Sequence, residues 1–217
     1  MMTRCFGTGD PLYERYHDEE WGRPPQDVPD EAPLFERIAL EGFQAGLSWL
    51  TVLRKREAFR VAFGGFRPDL VAGYGDEEVT RLSRDPTIIR NPLKIRATIR
   101  NARAVVSLHE QGLRLWDVLR GFAPEPRAAP GSMAELPSST AESEALSRRM
   151  KELGFTFVGP VTMYATLQAL GLVNDHLADC PQRGPAGEAS RAWDSASGSA
   201  RWGPCPHRPE PEPLAPG

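Results

Sequence analysis

The stretch Asp76–Val106, DEEVTRLSRDPTIIRNPLKIRATIRNARAVV, decides the fold. Asp76 stands where it can cap a short helix carrying Val79 and Leu82, because its carboxylate can accept from the free N–H groups of a first turn. Asp85-Pro86-Thr87-Ile88-Ile89-Arg90-Asn91 then has the residues of a tight connection. Asn91 caps the next helix and Pro92 takes its first position, where a missing N–H costs nothing. In that helix Ile95, Ile99, Ala102 and Val106 recur at helical spacing and are expected to face inward, with Lys94, Arg96, Arg100 and Arg103 on other faces. The reading is helix, short hairpin, helix.

Working outward, the same period holds. Leu34, Ile38, Glu41 and Ala45 fall on one stripe at spacings of four, three and four, which sets a carboxylate on an apolar face. Ser139-Thr140-Ala141-Glu142 predicts a further helix, with Ser139 as its cap, Glu142 reaching back and Gly154 closing the far end. Phe122 to Pro137 reads as a Pro/Ala-rich surface loop. No sustained alternation of period two suggests a sheet, so residues 1–180 are expected to form one all-α domain. After Cys180 the composition changes: residues 181–217 hold 8 Pro, 5 Gly, 4 Ser and 6 Ala, too little apolar content to offset ordering entropy. That segment, which includes Cys205 and His207, is expected to be a disordered, dispensable tail.

A chain of 217 residues with 40% hydrophobic content suits a single globular domain, and no apolar run is long enough to span a membrane. The start, Met1-Met2-Thr3-Arg4-Cys5-Phe6-Gly7, lacks a signal-like apolar stretch, so a cytoplasmic protein with no membrane partner is expected. The net charge of −3 excludes a generic polycation. Charge is nonetheless uneven: residues 1–40 hold 9 acids against 4 bases, whereas residues 81–120 hold 9 bases against 3 acids, and the basic block coincides with the hairpin.

Three cysteines do not make a disulfide framework. His176 and Cys180, four residues apart, put an imidazole and a thiol on one helical face, and Cys5 and His17 offer a second pair near the other end. Together they would make a closed tetrahedral set, as structural zinc requires; a buried thiol and a hydrogen-bonded histidine are the plainer alternative. Tyr13, Tyr16, Trp21 and Trp49 flank the stripe that holds Glu41. They are either ordinary core or a stacking pocket with an acid at its floor, suited to a flat, electron-poor ligand.

Arg4-Cys5, Asp10-Pro11-Leu12-Tyr13, the run Tyr16 to Gly22 (YHDEEWG), the run Glu41 to Trp49 (EGFQAGLSW), Ile88-Ile89-Arg90-Asn91, the run Gly154 to Pro160 (GFTFVGP) and the run Gly171 to His176 (GLVNDH) resemble the bacterial 3-methyladenine DNA glycosylase I family, in order across residues 4–180. The resemblance implies an all-α, helix-hairpin-helix glycosylase that extrudes 3-methyladenine from alkylated double-stranded DNA and hydrolyses its N-glycosidic bond, acting as a monomer. It also implies a structural zinc ion held by Cys5, His17, His176 and Cys180, clamping the N- and C-terminal parts together. Glu41 would be the catalytic-site carboxylate that recognises the base, with Tyr16 and Trp49 stacking on it and Tyr13 at the pocket edge. Gly46 and Leu47 would plug the gap in the duplex, and Ile89, Arg90, Asn91 and Lys94 would grip the phosphate backbone. No lysine stands in the pocket motifs, so a Schiff base and strand cleavage are not expected. Two other classes, a module that binds altered DNA without cutting it and a protein-interaction domain, are separated from this one by release of free base.

Overall fold

The computed structural model describes residues 4–25 and 27–184; the part of the expected tail beyond residue 184, with Cys205 and His207, lies outside the described residues. Among the described residues there is no strand. Ten α-helices follow one another: α1 (Pro11–Glu19), α2 (Glu31–Gln44), α3 (Trp49–Leu53), α4 (Arg56–Ala62), α5 (Pro68–Ala72), α6 (Asp76–Arg84), α7 (Pro92–Glu110), α8 (Leu115–Arg120), α9 (Ala141–Glu152) and α10 (Pro160–Ala169). Among the described residues no helix is long and apolar enough to cross a membrane.

Helix α2 runs through the interior. Every residue from Leu34 to Phe43 is buried, and α3, α5, α7, α8 and α10 all pack against it. Phe43, Phe59, Phe63 and Phe66 form a ladder beside it, with neighbouring ring centroids 4.5–6.2 Å apart, a spacing at which aromatic rings attract. Such a helix must also bury its ionic residues, and it does so in pairs. Glu36 accepts from Arg56 at 2.5 Å and from Arg60 at 2.9 Å, while Arg56 also donates to Glu20 beyond the end of α1.

The expected hairpin is present. Asn91 Oδ1 accepts from the backbone N–H groups of Leu93 and Lys94, and Pro92 opens α7. Several local expectations need correction. Gly75, not Asp76, is the N-cap of α6, with the Glu78 carboxylate accepting from its N–H at 2.7 Å. The capping box of α9 is Thr140 with Ser143, not Ser139 with Glu142, because the chain enters the helix one residue later. The inward face of α7 drifts from Ala102 to Val105 and Leu108 and leaves Val106 half-buried, as a true 3.6-residue period demands.

Residues 122–137 are tied down more firmly than a surface loop. The Pro130 carbonyl accepts from Ala178 N, and Arg127 reaches the carboxylate of Asp175. Asp175 is fully buried and also accepts from Tyr164 Oη at 2.5 Å and Gln168 Nε2 at 2.7 Å. The folded body extends slightly past the expected boundary at 180, since Asn174 donates to the Arg183 carbonyl and Arg23 to Gln182. Arg127→Ala should remove a charged donor from a buried carboxylate and destabilise the fold by about 1.5–3 kcal/mol, measurable by urea denaturation.

Candidate functional site

Helix α1 and the C-terminal half of α2 meet at a cluster of rings. Tyr13 and Tyr16, three residues apart on α1, lie 6.4 Å from each other and nearly parallel. Tyr16 is 5.3 Å from Trp49 at 44°, so the two rings touch and leave no room for a planar ring between them; a sandwich needs about 7 Å. A flat ligand would therefore stack against a face of the pair. Phe6, half-buried, joins the cluster at 4.8 Å from Tyr13 and 4.9 Å from Trp21.

Glu41 lies on the buried face of α2 with 5% exposure, and its carboxylate accepts no hydrogen bond from the described residues. Burial pushes its pKa up to about 7, against the opposing pull of Arg37 one turn earlier. Its charge registers on both Tyr13 and Tyr16, which places all three in one electrostatic neighbourhood. Trp49 Nε1 is buried and has no acceptor among the described residues. A carboxylate without donors, an indole donor without an acceptor and the adjoining ring faces can together bind a flat cation or a base with an exocyclic amine.

Arg37 is the residue that the sequence reading missed. Its Nη1 donates to Tyr16 Oη at 3.0 Å, and its guanidinium lies 5.3 Å from the Tyr16 ring and 5.5 Å from that of Trp49. The signal was available: Arg37 and Glu41 stand at i and i+4 on one helix, the spacing of facing side chains. A second miss is Phe157, in the connection between α9 and α10, which holds φ 56° and is 43% exposed. Asn101 clamps its neighbour Thr156 by two hydrogen bonds, from Asn101 Nδ2 to the Thr156 carbonyl and from Thr156 N to Asn101 Oδ1. Nothing in a Phe-Val-Gly run announces a left-handed phenylalanine. The structure thus holds two helix–connection–helix units beside α2, of which the sequence reading singled out the first.

Gly46 and Leu47 occupy the exposed loop 45–48 that follows α2; Gly46 has φ 83°, which favours glycine, and Leu47 is 43% exposed. Ile89 is half-buried against the core and Arg90 is exposed, while the Asn91 side chain is spent on its cap. Lys94 is a correction. It is buried, and its Nζ donates to the Phe43 carbonyl at 2.9 Å and the Ala45 carbonyl at 2.6 Å, because α7 packs across the end of α2 where carbonyls have no helical partner. Its ammonium is thus turned onto backbone carbonyls and away from the solvent-facing position expected of it, and Arg96, at 2.7 Å from Asp76, is already paired.

Beside the ring cluster, Cys5, His17, His176 and Cys180 converge, all buried, with their donor atoms within 4.8 Å of one another. Cys180 Sγ is 3.5 Å from His17 Nε2 and 3.4 Å from His176 Nδ1, and Cys5 Sγ is 3.5 Å from His176 Nδ1. The outward nitrogens are fixed: His17 Nδ1 meets the Asp18 carboxylate at 2.7 Å and His176 Nε2 the Trp21 carbonyl at 3.0 Å. Such outer partners orient ligating histidines. Burial lowers the His176 pKa to about 4, which leaves it neutral, and raises the Cys5 thiol to about 12, so that only a cation in contact would hold a thiolate there. Gly22, at φ 72°, admits the His176 ring, since a Cβ there would lie 2.7 Å from Nε2. The four residues can hold a metal ion.

The sequence profile described as methyladenine glycosylase matches residues 6–183. The chain belongs to the methyladenine glycosylase family. Within that family it is 46% identical over 182 residues to DNA-3-methyladenine glycosylase 1 of Escherichia coli K12, covering 82% of this chain and 96% of that one. It is 40% identical to the DNA-3-methyladenine glycosylase of Haemophilus influenzae, covering 83% and 98%. Among solved structures, a variant of 3-methyladenine DNA glycosylase I in complex with 3-methyladenine is 33% identical with a TM-score of 0.79, covering 86% and 100%.

The ionisation of Glu41 opposes folding. A glutamate in the unfolded chain titrates at about 4.3, so as pH rises from there to about 7 the unfolded state releases a proton that the folded state retains, and stability falls by on the order of 3 kcal/mol. Glu41→Gln should escape this loss. Urea denaturation on either side of the window should show the variant gaining stability relative to the parent as pH rises; a constant difference would contradict the burial of an ionisable Glu41.

Proposed function

We infer that this chain is a monofunctional DNA glycosylase that extrudes 3-methyladenine from alkylated double-stranded DNA, as a monomer, and hydrolyses its N-glycosidic bond to leave an abasic site. The observation that carries the reading is the undonated Glu41 carboxylate beside the Tyr16 and Trp49 rings, in a chain of the methyladenine glycosylase family. Methylation at N3 makes adenine cationic within the nucleotide and hence a good leaving group. A carboxylate and aromatic faces in a dry site favour that charge over a neutral base, so part of the selectivity lies in binding. Extrusion costs a few kcal/mol, less for a damaged base. In this reading Leu47, exposed on the loop that follows α2, enters the gap, and exposed Arg90 meets phosphate. The Lys94 ammonium is held by two backbone carbonyls, which supports hydrolysis without strand cleavage.

The role of Glu41 is to accept from the exocyclic amine and offset the positive ring. Glu41→Gln should fold yet lose about 1.5–3 kcal/mol in affinity for free 3-methyladenine and at least as much in excision from methylated DNA. Calorimetry and release of labelled base measure the two. Binding to methylated DNA without any base release by the parent protein would mean a damage-binding module instead.

We also propose that Cys5, His17, His176 and Cys180 hold one structural zinc ion. Bond lengths to sulfur and nitrogen in a tetrahedral zinc site put adjacent S and N donors about 3.5 Å apart, the spacing found between these atoms. Two thiolates and two imidazoles leave no open position, so the ion would supply cohesion and take no part in hydrolysis. Cys180→Ala should carry less than one zinc per chain and melt about 10 °C or more below the parent. Elemental analysis and thermal denaturation check this; full zinc at an unchanged midpoint would refute it.

A further inference from the structure

Arg37 is a buried cation where the proposed ligand is itself cationic, and its position is built with some care. One nitrogen donates to the Tyr16 phenol at 3.0 Å, the guanidinium rides against both Tyr16 and Trp49, and Nη2 lies 3.6 Å from Glu20. Glu20 is in turn bound to Arg56. Arg37 is therefore held from three sides by the rings and the carboxylate next to them. We propose that Arg37 is the positioning residue of the base site, fixing the Tyr16 ring against Trp49 and supplying the counter-charge for Glu41. This inference rests on the glycosylase reading for its ligand, but not for its effect on Glu41.

Three arguments support it. Arg37 is one helical turn from Glu41 on the same face of a rigid, buried helix, so their separation does not depend on loop motion. Among the described residues, Arg37 is the charged side chain that opposes the effect of burial on the Glu41 carboxyl. On the elements around α2, Tyr13 and Tyr16 of α1 are neutral at ordinary pH, Glu14 and Asp18 pair with Arg4, His17 meets Asp18, and Arg15 and Glu19 are exposed. Lys94 on α7 is bound to carbonyls, while Arg96, Arg100, Arg103, His109 and Glu110 are exposed; Arg120 ends α8 half-buried; and Tyr164 on α10 is bound to Asp175. Asp69 on α5 and Asp117 on α8 are exposed. Repulsion of the cationic base is limited because the Arg37 charge is shared with Glu20 and spread over two rings.

The test compares the parent, Arg37→Met and Arg37→Lys. The Glu41 carboxyl is followed by carbon-13 NMR in protein without ligand, its signal assigned by its loss in Glu41→Gln. Its midpoint should lie near 7 in the parent, about one pH unit or more higher in Arg37→Met, and back toward the parent in Arg37→Lys. Affinity for free 3-methyladenine, measured over the same pH range, should show its acid limb displaced by the same interval in Arg37→Met, with about fivefold or more weaker binding at the parent's midpoint; titration of the ligand itself is common to all three. Arg37→Gln replaces the methionine variant if that does not fold. A Glu41 midpoint and a binding profile unchanged by loss of the guanidinium overturn the proposal. A midpoint that moves as stated while the parent binds no 3-methyladenine upholds the Arg37–Glu41 coupling and removes the glycosylase reading instead.

Discussion

A helix that passes through the interior must bury its polar residues along with its apolar ones, and α2 sets the terms for everything around it. Its first half meets the constraint with ion pairs, Glu36 between Arg56 and Arg60, and Arg37 beside Glu20. Its second half leaves it unmet at Glu41, where burial raises the carboxyl pKa to about 7. Buried carboxylates with displaced titration cluster at functional sites because they are costly to keep otherwise. The aromatic residues of α1 and Trp49 of α3 are the walls of that unsatisfied position, and the charged chain from Glu20 to Arg60 is the foundation beneath it.

The second organising contact adjoins the first through Phe6, whose ring lies 4.8 Å from Tyr13 and 5.0 Å from His17. Cys5 and His17 come from one end of the described chain and His176 and Cys180 from the other, and their convergence closes the body into a ring. The closure carries Tyr16, the immediate neighbour of His17, and so sets one face of the aromatic cluster. Asp175 does the same work at the other end, drawing Arg127 of the 122–137 segment against the strip of chain that bears His176.

Much of this was legible in the chain. Helical periodicity and the Asn91-Pro92 pair located α2, α6 and α7, because caps and apolar stripes are local signals. Spacing alone suggested the four Cys and His residues, though their meeting depends on the whole fold. What escaped was side-chain destination. Lys94 looked like a phosphate contact because charge on a helix near a hairpin usually faces solvent; that it would turn inward depends on the unpaired carbonyls of a helix distant in sequence. Arg37 looked like one more arginine in an arginine-rich chain until Tyr16 and Trp49 were found around it. Thr140 took the cap expected of Ser139 because two adjacent hydroxyl residues can both serve as caps, and the local pattern does not say at which of them the chain enters the helix.

The Lys94 ammonium has a mechanical meaning as well. It joins the first turn of α7, just after the 85–91 connection, to the last carbonyls of α2, just before the 45–48 loop, while Lys55 ties the same connection to the end of α3 through the Pro86 and Thr87 carbonyls. The two protruding segments are thus a single lever with two arms. A displacement at Arg90 is passed toward the base of the 45–48 loop through one charged joint and a few peptide units.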